Sequence, residues 1–333
     1  MNGLRLHSYP NSQLQRSRVG PIIEAECRQP SVIARDISSR PRPKGHVIVF
    51  ANVKGGVGKS TLAFQCCVAL CGRGYKVAAI DLDRYQHSLA SALTYREATA
   101  RILGAALPCP RHAVLERPSG AHLSQEIARL GSECDIVIID VAGHDSTIAR
   151  YAIAMADTLV TPINNSFVDL SVLARFDPAT MQMREPARFG KLIIELNAER
   201  SHHRLGTPDW LVVKNRTRAV EVNQERRIDD ALASLASQFG FRIGNGLSER
   251  VAYRELFLFG LTHLDLELIP GLPSRRNSSH ELSRCLDEMN LPVASGSRLR
   301  TPSRRAKTRS KSSETYRRSI EALLPGNGRA TER

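Results

Sequence analysis

Short apolar stretches recur along this chain without the polar alternation of a half-exposed strand. Val47–Phe50, Lys76–Leu82, Cys134–Asp140, Asp157–Ile163 and Asp209–Val213 each read as a strand buried on both faces. Between them the period changes. Ser60–Leu70, Ser119–Leu130, Glu221–Phe239 and Ser279–Met289 carry helical spacing, and Leu232, Leu235, Ala236 and Phe239 share one face of the third. Residues 94–118 hold no clear period and read as a surface excursion, and the stretch between Ile163 and Asp209 as an ill-defined insertion. Residues 242–270 alternate short strand and helix signals. Strands alternating with helices predict an α/β fold, a mostly parallel twisted sheet with helices on both faces.

The first strand runs into Lys54-Gly55-Gly56-Val57-Gly58-Lys59-Ser60-Thr61 and then into a helix that starts at Lys59 or Ser60. A glycine loop between strand and helix is the setting that a phosphate-binding loop needs. Gly55, Gly56 and Gly58 can take positive φ and turn backbone N–H groups onto an anion. The helix N-terminus adds its dipole. In that arrangement Lys59 reaches the β- and γ-phosphates of a nucleotide, and the Ser60 hydroxyl binds Mg²⁺. The plain alternative is a glycine-rich turn with incidental basic residues, which leaves the matched motif positions and their strand–helix setting to chance. Val53 stands where the general pattern has glycine, and a second lysine, Lys54, opens the loop.

Two later strands end in acids. The second closes on Asp81-Leu82-Asp83 and the third on Asp140. Carboxylates at the C-terminal ends of parallel strands face the ligand crevice of an open α/β sheet. Asp140 has the Walker B position and is placed to hold Mg²⁺ directly or through water. A helix cap is the plain reading of the same residue.

Composition narrows the class. At 333 residues the chain suits one large α/β domain or two smaller ones. No run approaches the roughly 20 apolar residues of a membrane span, and the Arg- and Ser-rich N-terminus lacks the apolar core of a secretion signal. The seven cysteines form no Cys-x-x-Cys pair, so the chain reads as reduced and cytoplasmic. Charge is uneven. Residues 1–45 hold eight Lys/Arg against three Asp/Glu and residues 295–333 eleven against three, so the ends carry nearly all of the net +14. Both read as basic, disordered extensions flanking a domain at 46–294.

The loop with its extra lysine, Lys-Gly-Gly-x-Gly-Lys-Ser, is the deviant Walker A signature, and it resembles that of the ParA/MinD family of dimerising P-loop ATPases. Further stretches are similar to the MipZ-type branch, which positions the division plane. They include Gly143-His144-Asp145-Ser146, Ala156-Asp157-Thr158-Leu159-Val160-Thr161-Pro162, Asn165-Ser166-Phe167-Val168-Asp169, and Asp209-Trp210 through Asn215-Arg216. Glu133-Cys134-Asp135, Asp177-Pro178, Gly240 to Gly244, Arg250 and Tyr253 to Phe257 complete the set, so that the resemblance spans about residues 46–270. It implies a slow ATPase that forms an ATP-dependent homodimer, binds DNA without sequence preference, contacts a ParB-like protein and blocks FtsZ assembly. The expected location is the nucleoid or a gradient from the pole.

By matching position, the resemblance gives Lys54 to the partner's nucleotide across the dimer, Asp83 to the attacking water and Asn215, with Arg216 beside it, to the adenine. Gly143 offers a backbone N–H to the γ-phosphate. Where the family usually has Thr-Pro-Gly, this chain has Val141-Ala142-Gly143. Arg216, Arg218, Arg226, Arg227, Arg250 and Arg254 are the candidates for phosphate contact with DNA, as against a plain solvated surface. The rival readings are a ParA-type partitioning ATPase, a catalytically silent nucleotide binder and a MinD-like ATPase on a membrane. The last would use Tyr316, Ile320, Leu323 and Leu324 as a short amphipathic helix; a solvated tail is the expectation here, and no membrane partner.

Overall fold

The computed structural model describes residues 29–217, 222–269, 277–293 and 311–323. Seven strands form one parallel sheet: β1 (His46–Phe50), β2 (Val77–Asp81), β3 (Arg111–Val114), β4 (Ile136–Asp140), β5 (Thr158–Ile163), β8 (Asp209–Lys214) and β9 (Arg242–Asn245). Their order is β3-β2-β4-β1-β5-β8-β9. The short strands β6 (Ala174–Phe176) and β7 (Met183–Pro186) make a separate antiparallel hairpin. The α/β expectation holds, and all five expected strands are present.

Successive residues of a strand face opposite sides, so a double-faced apolar strand feeds two cores. Val47 and Val49 of β1 join one cluster with Ile139, Leu159 and Trp210, while Ile48 and Phe50 join the other with Ile138 and Leu211. The helices are α1 (Pro30–Ser38), α2 (Lys59–Gly72), α3 (Ser88–Leu103), α4 (Gly120–Gly131), α5 (Thr147–Met155), α6 (Phe167–Leu170) and α7 (Arg188–His202). After them come α8 (Val222–Phe239), α9 (Val251–Leu258), α10 (Asn277–Asp287) and α11 (Lys311–Leu323). Helix α2 is buried nearly all round, against β1, β2 and β4 on one side and α3, α9 and α10 on the other. That burial explains its lack of an amphipathic stripe. Strand β1 lies between β4 and β5, so the loop after Phe50 emerges at the middle of the sheet's carboxyl edge.

Three expectations need correction. Residues 94–118 are no surface excursion: they hold the second half of α3 and the edge strand β3. The helical stripe is hidden in the sequence because its buried face includes Arg96 and Thr99. Arg96 is fully buried and makes two bonds to Asp265, at 2.7 and 2.6 Å. The basic N-terminal extension is ordered over α1, where Ile33 and Ala34 are fully buried and the helix packs on α5 and α7. The C-terminal extension is ordered over α11. There Ile320 is fully buried, and Tyr316 shares a hydrogen bond of 2.9 Å with Thr99. This helix turns its apolar residues to α3 and α9. No helix among the described residues is long and apolar enough to cross a membrane.

Candidate nucleotide site

The loop from β1 to α2 is held by a few side chains from neighbouring strand ends. Asn52 donates to the Pro162 carbonyl at 2.8 Å and accepts the Lys54 N–H at 2.8 Å, fixing where the loop leaves the sheet. Gly56 (φ +77°) and Gly58 (φ +84°) take the left-handed conformation; Gly55 does not. At Gly58 a side chain is also excluded by space, since an added Cβ would lie 2.6 Å from Asn215 Nδ2. No side chain caps α2, and its first turn holds no acid. Its leading N–H groups therefore remain available to an anion. They open on a cavity of about 400 Å³ lined by the loop together with Asp83, Gln86, Asp140, Gly143, His144 and Phe257.

Lys59 is the first residue of α2 and is buried, with Nζ donating to the Lys54 carbonyl at 3.2 Å. Burial pulls its pKa below the usual lysine value, against the opposing pull of Asp140 and Asp83. Gly143 passes close by: a Cβ there would meet Lys59 Nζ at 3.3 Å and the Gly55 Cα at 3.5 Å. Val141 and Ala142, which replace the usual Thr-Pro, are both buried. Apolar side chains fit that setting.

The strand-end acids divide their roles. Asp140 and Asp81 are register partners on β4 and β2, so two buried carboxylates lie side by side. Burial, with the Asp81 charge behind it, raises Asp140 to about 8, while a hydrogen bond from Ser60 and the Lys59 charge work the other way. Asp140 Oδ1 is buried and has no hydrogen-bond partner. A buried oxygen of this kind beside a serine hydroxyl fits a hard divalent cation, which takes oxygen ligands. Asp81 is structural instead. It accepts the Leu89 and Ala90 N–H groups at 3.0 and 3.1 Å and so fastens the start of α3. Asp83 lines the cavity, and its Oδ1 accepts the Tyr85 and Gln86 N–H groups at 3.1 and 3.0 Å.

Lys54 does not point away from its own chain. Its Nζ lies 2.9 Å from Asp169, a buried carboxylate that the Ser166 hydroxyl also reaches at 2.5 Å. Asn215 is buried too: it donates to the Val57 carbonyl at 2.8 Å and accepts the Leu247 N–H at 3.1 Å. In this arrangement its amide braces the loop rather than presenting itself to a base. Arg216 donates to the Gly56 carbonyl and pairs with Glu249 at 2.8 Å.

The remaining candidate arginines are not gathered in one state. Arg250 is paired with Glu281 at 2.6 Å, Arg227 lies over the Phe167 ring, and Arg226, Arg227 and Arg254 are exposed. Arg218 lies outside the described residues. Asn52, Asp169 and Phe257 had no site role from the sequence: Asp169 and Phe257 lie in stretches that carry the family resemblance, but the loop contact of each arises only from packing between separate elements. For Asp169 the signal available was an acid six residues beyond the end of β5, at the same sheet edge as the loop.

Comparison with known proteins fits this geometry. The family described as ATPase MipZ matches residues 46–293. Among curated proteins, the cytosolic iron–sulfur cluster assembly factor CFD1 of Kluyveromyces lactis is 47% identical over 38 residues, 11% of this chain and 13% of that protein. An iron–sulfur cluster carrier protein of Aquifex aeolicus is 50% identical over 44 residues, 13% of this chain and 12% of that one. The chain thus spans only about an eighth of these relatives. Among solved structures, an ATP complex of McdA from Cyanothece is 18% identical, with a TM-score of 0.49, over 74% of this chain and 95% of that one. MinD of Pyrococcus horikoshii with Mg-ADP is 15% identical, with a TM-score of 0.46, over 74% and 96%.

Proposed function

The chain belongs to the MipZ ATPase family, and on that premise we propose that it is an ATP-dependent dimerisation switch that hydrolyses ATP slowly. The observation that carries this reading is the mouth of α2. There an uncapped helix N-terminus, a buried lysine and a buried aspartate oxygen without a partner face one cavity. Gly55 to Thr61 and the Gly143 backbone hold the phosphates. Lys59 neutralises the β- and γ-phosphate oxygens, and Ser60 and Asp140 hold Mg²⁺, which supplies charge neutralisation there. Asp83 orients the attacking water and Lys54 reaches the partner's nucleotide. With no group assigned to draw the proton from that water, turnover is slow, as suits a timer.

Two exposed apolar side chains are neighbours in sequence to residues of this site, Tyr85 beside Gln86 at 88% and Val168 beside Asp169 at 69% exposure. A second copy of the chain would cover both. Loss of the γ-phosphate then weakens the pair and resets the switch. In the cell the ATP-bound pair restrains FtsZ assembly, and a ParB-like protein and non-specific DNA localise it on the nucleoid or in a gradient from the pole. Arg226, Arg227 and Arg254 are the exposed cations for the DNA contact, doubled by dimerisation.

The experiment compares Asp83→Ala with Asp140→Ala. The first is expected to keep ATP binding and to trap the dimer on size-exclusion chromatography; the second weakens Mg-ATP itself. Equal loss of binding in both would refute the division of roles. For the cellular reading, ATP-loaded chain is expected to lower FtsZ polymer in a sedimentation assay, and Lys59→Ala is not. For DNA, Arg226→Glu with Arg254→Glu should remove ATP-dependent binding in the full chain. The full chain is the right sample because α1 and α11 contribute buried residues to the fold.

A further inference from the structure

A second cluster of ligating side chains lies on α3 and the edge strand, away from the nucleotide. Glu97 on α3, Cys109 in the connection after it and His112 on β3 bring a carboxylate oxygen, a thiol sulfur and a ring nitrogen within 4.8 Å of one another. We propose that these three side chains bind a zinc-class divalent cation, with water in the fourth position, and that the cation staples the 104–110 connection to α3. Ser88, at the start of α3, lines the nucleotide cavity. Glu97 lies nine residues further on, about 14 Å along the helix, so the cluster is separate from the Mg²⁺ position.

The hydrogen bonds around the histidine turn its ring toward Glu97. Thr94 Oγ1 donates its proton to the Ala90 carbonyl at 2.9 Å. Toward His112 Nε2, at 3.2 Å, that hydroxyl therefore has only a lone pair to offer. With Nε2 as the donor to Thr94, Nδ1 is the ring nitrogen turned to Glu97. Nδ1 faces Glu97 Oε1 at 3.9 Å. A metal ion held between them, with the Cys109 sulfur as third ligand, satisfies both, and so does a proton on the ring; the Co²⁺ titration tells the two apart. Thr94 acts here as a positioning residue, setting the tautomer as outer partners of metal-bound histidines do.

The donor set and spacing select the ion. One sulfur, one imidazole nitrogen and one carboxylate oxygen suit Zn²⁺, whereas Mg²⁺ takes oxygen. Cys109-x-x-His112 is a short chelating stretch, and Thr94 and Glu97 lie one turn apart on the same face of α3. Metal–ligand bonds of about 2.0–2.3 Å require the three atoms to close by roughly 1 Å. The exposed Glu97 side chain can make that move. Cys109 Sγ holds only a 4.0 Å approach to the Leu93 carbonyl. Burial pushes this thiol up to about 11. On binding, the metal–sulfur bond replaces the S–H bond and the thiol proton goes to solvent.

Chelator-treated full-length chain, free of nucleotide, is titrated with Co²⁺ and then Zn²⁺. One equivalent of Co²⁺ is expected to raise a thiolate-to-cobalt charge-transfer band in the near ultraviolet, which Zn²⁺ displaces. Cys109→Ala should abolish the band, His112→Ala should weaken Co²⁺ at least tenfold, and Thr94→Val should weaken it less. On the wild-type chain Zn²⁺ should shield Cys109 from alkylation, read by peptide mass, and leave Cys134 labelled. The shielding needs no variant to fold. A missing band, a band that survives Cys109→Ala in a chain that still binds ATP, or Cys109 labelled equally with and without Zn²⁺ overturns the proposal.

Discussion

The two ends of the central sheet are built from similar residues and treat them in opposite ways. At the amino end the chain itself closes the strand-start acids and a buried arginine. Asp157 accepts the Val47 N–H at 2.9 Å, Asp135 accepts the Lys76 N–H at 2.9 Å, and Asp209 is forked onto Arg242 at 2.8 and 2.5 Å. Arg200, buried, donates to the carbonyls of Ala154, Ala156 and Gly206. At the carboxyl end buried oxygens of Asp140, Asn164 and Asn165 have no partner. A cleft of about 600 Å³ lies at the amino end, larger than the 400 Å³ cavity by the loop. Volume alone would choose the amino end. Unmet polar demand is the better guide, since a buried polar atom without a bond costs stability unless something else supplies the bond.

The comparison breaks if polar residues at the two ends respond alike to removal. Lys59→Met should lower ATP affinity by about 100-fold or more, roughly 2.7 kcal/mol, in a nucleotide-binding titration. Its melting temperature should stay level or rise, because a buried ammonium held by one carbonyl contributes little to the fold. A clear fall in stability would show that the loop lysine is structural.

Arg200→Met is the opposite case. It keeps most of the stem and strands three carbonyls, at a cost of about 2–4 kcal/mol in chemical denaturation. ATP affinity should stay within about twofold. If affinity fell with stability, the two ends would be coupled through the sheet and the division would not stand.

Much of this division is legible in the sequence. Double-faced apolar strands, the glycine loop and the acids at strand ends each leave a local mark. Roles that depend on contacts between distant segments left none. Asp81 and Asp83 are two residues apart and look alike in sequence, yet only the packing of α3 against β2 makes the first a helix anchor. Helix α3 itself was missed because Arg96 occupies a core position, and its partner Asp265 is 169 residues away. The ordered parts of both basic extensions were hidden because each is one short helix whose apolar residues, around Ile33 and Ile320, sit in a basic, Ser-rich stretch.

Lys54 sharpens the contrast, since it belongs to the ligand end but is closed in this structure by Asp169. Lys54→Ala should leave ATP affinity within about tenfold, some 1.4 kcal/mol. The ATP-dependent dimer should disappear on size-exclusion chromatography with a slowly hydrolysed analogue. A normal dimer peak would confine Lys54 to its contact within the chain.

The smallest effect is expected from His46, where the amino end holds a titratable ring in the neutral form. Its Nε2 lies 2.8 Å from Thr158 Oγ1, joining β1 to β5. Burial lowers its pKa below 6.5, although Asp157 and Asp209 pull the other way. A histidine harder to protonate when folded binds fewer protons than in the unfolded chain, so its contribution is intact at neutral pH. It is lost as the pH falls through 6.5 toward the lowered folded value. The wild-type melting temperature should therefore drop between pH 7.5 and 5.5 by more than that of His46→Gln, which offers Thr158 a side-chain amide and cannot titrate. Parallel slopes for the two chains would mean that the ring gains its proton in the folded state as readily as in the unfolded one. The amino end would then have a polar group still open to solvent, and the contrast between the two ends would be one of degree.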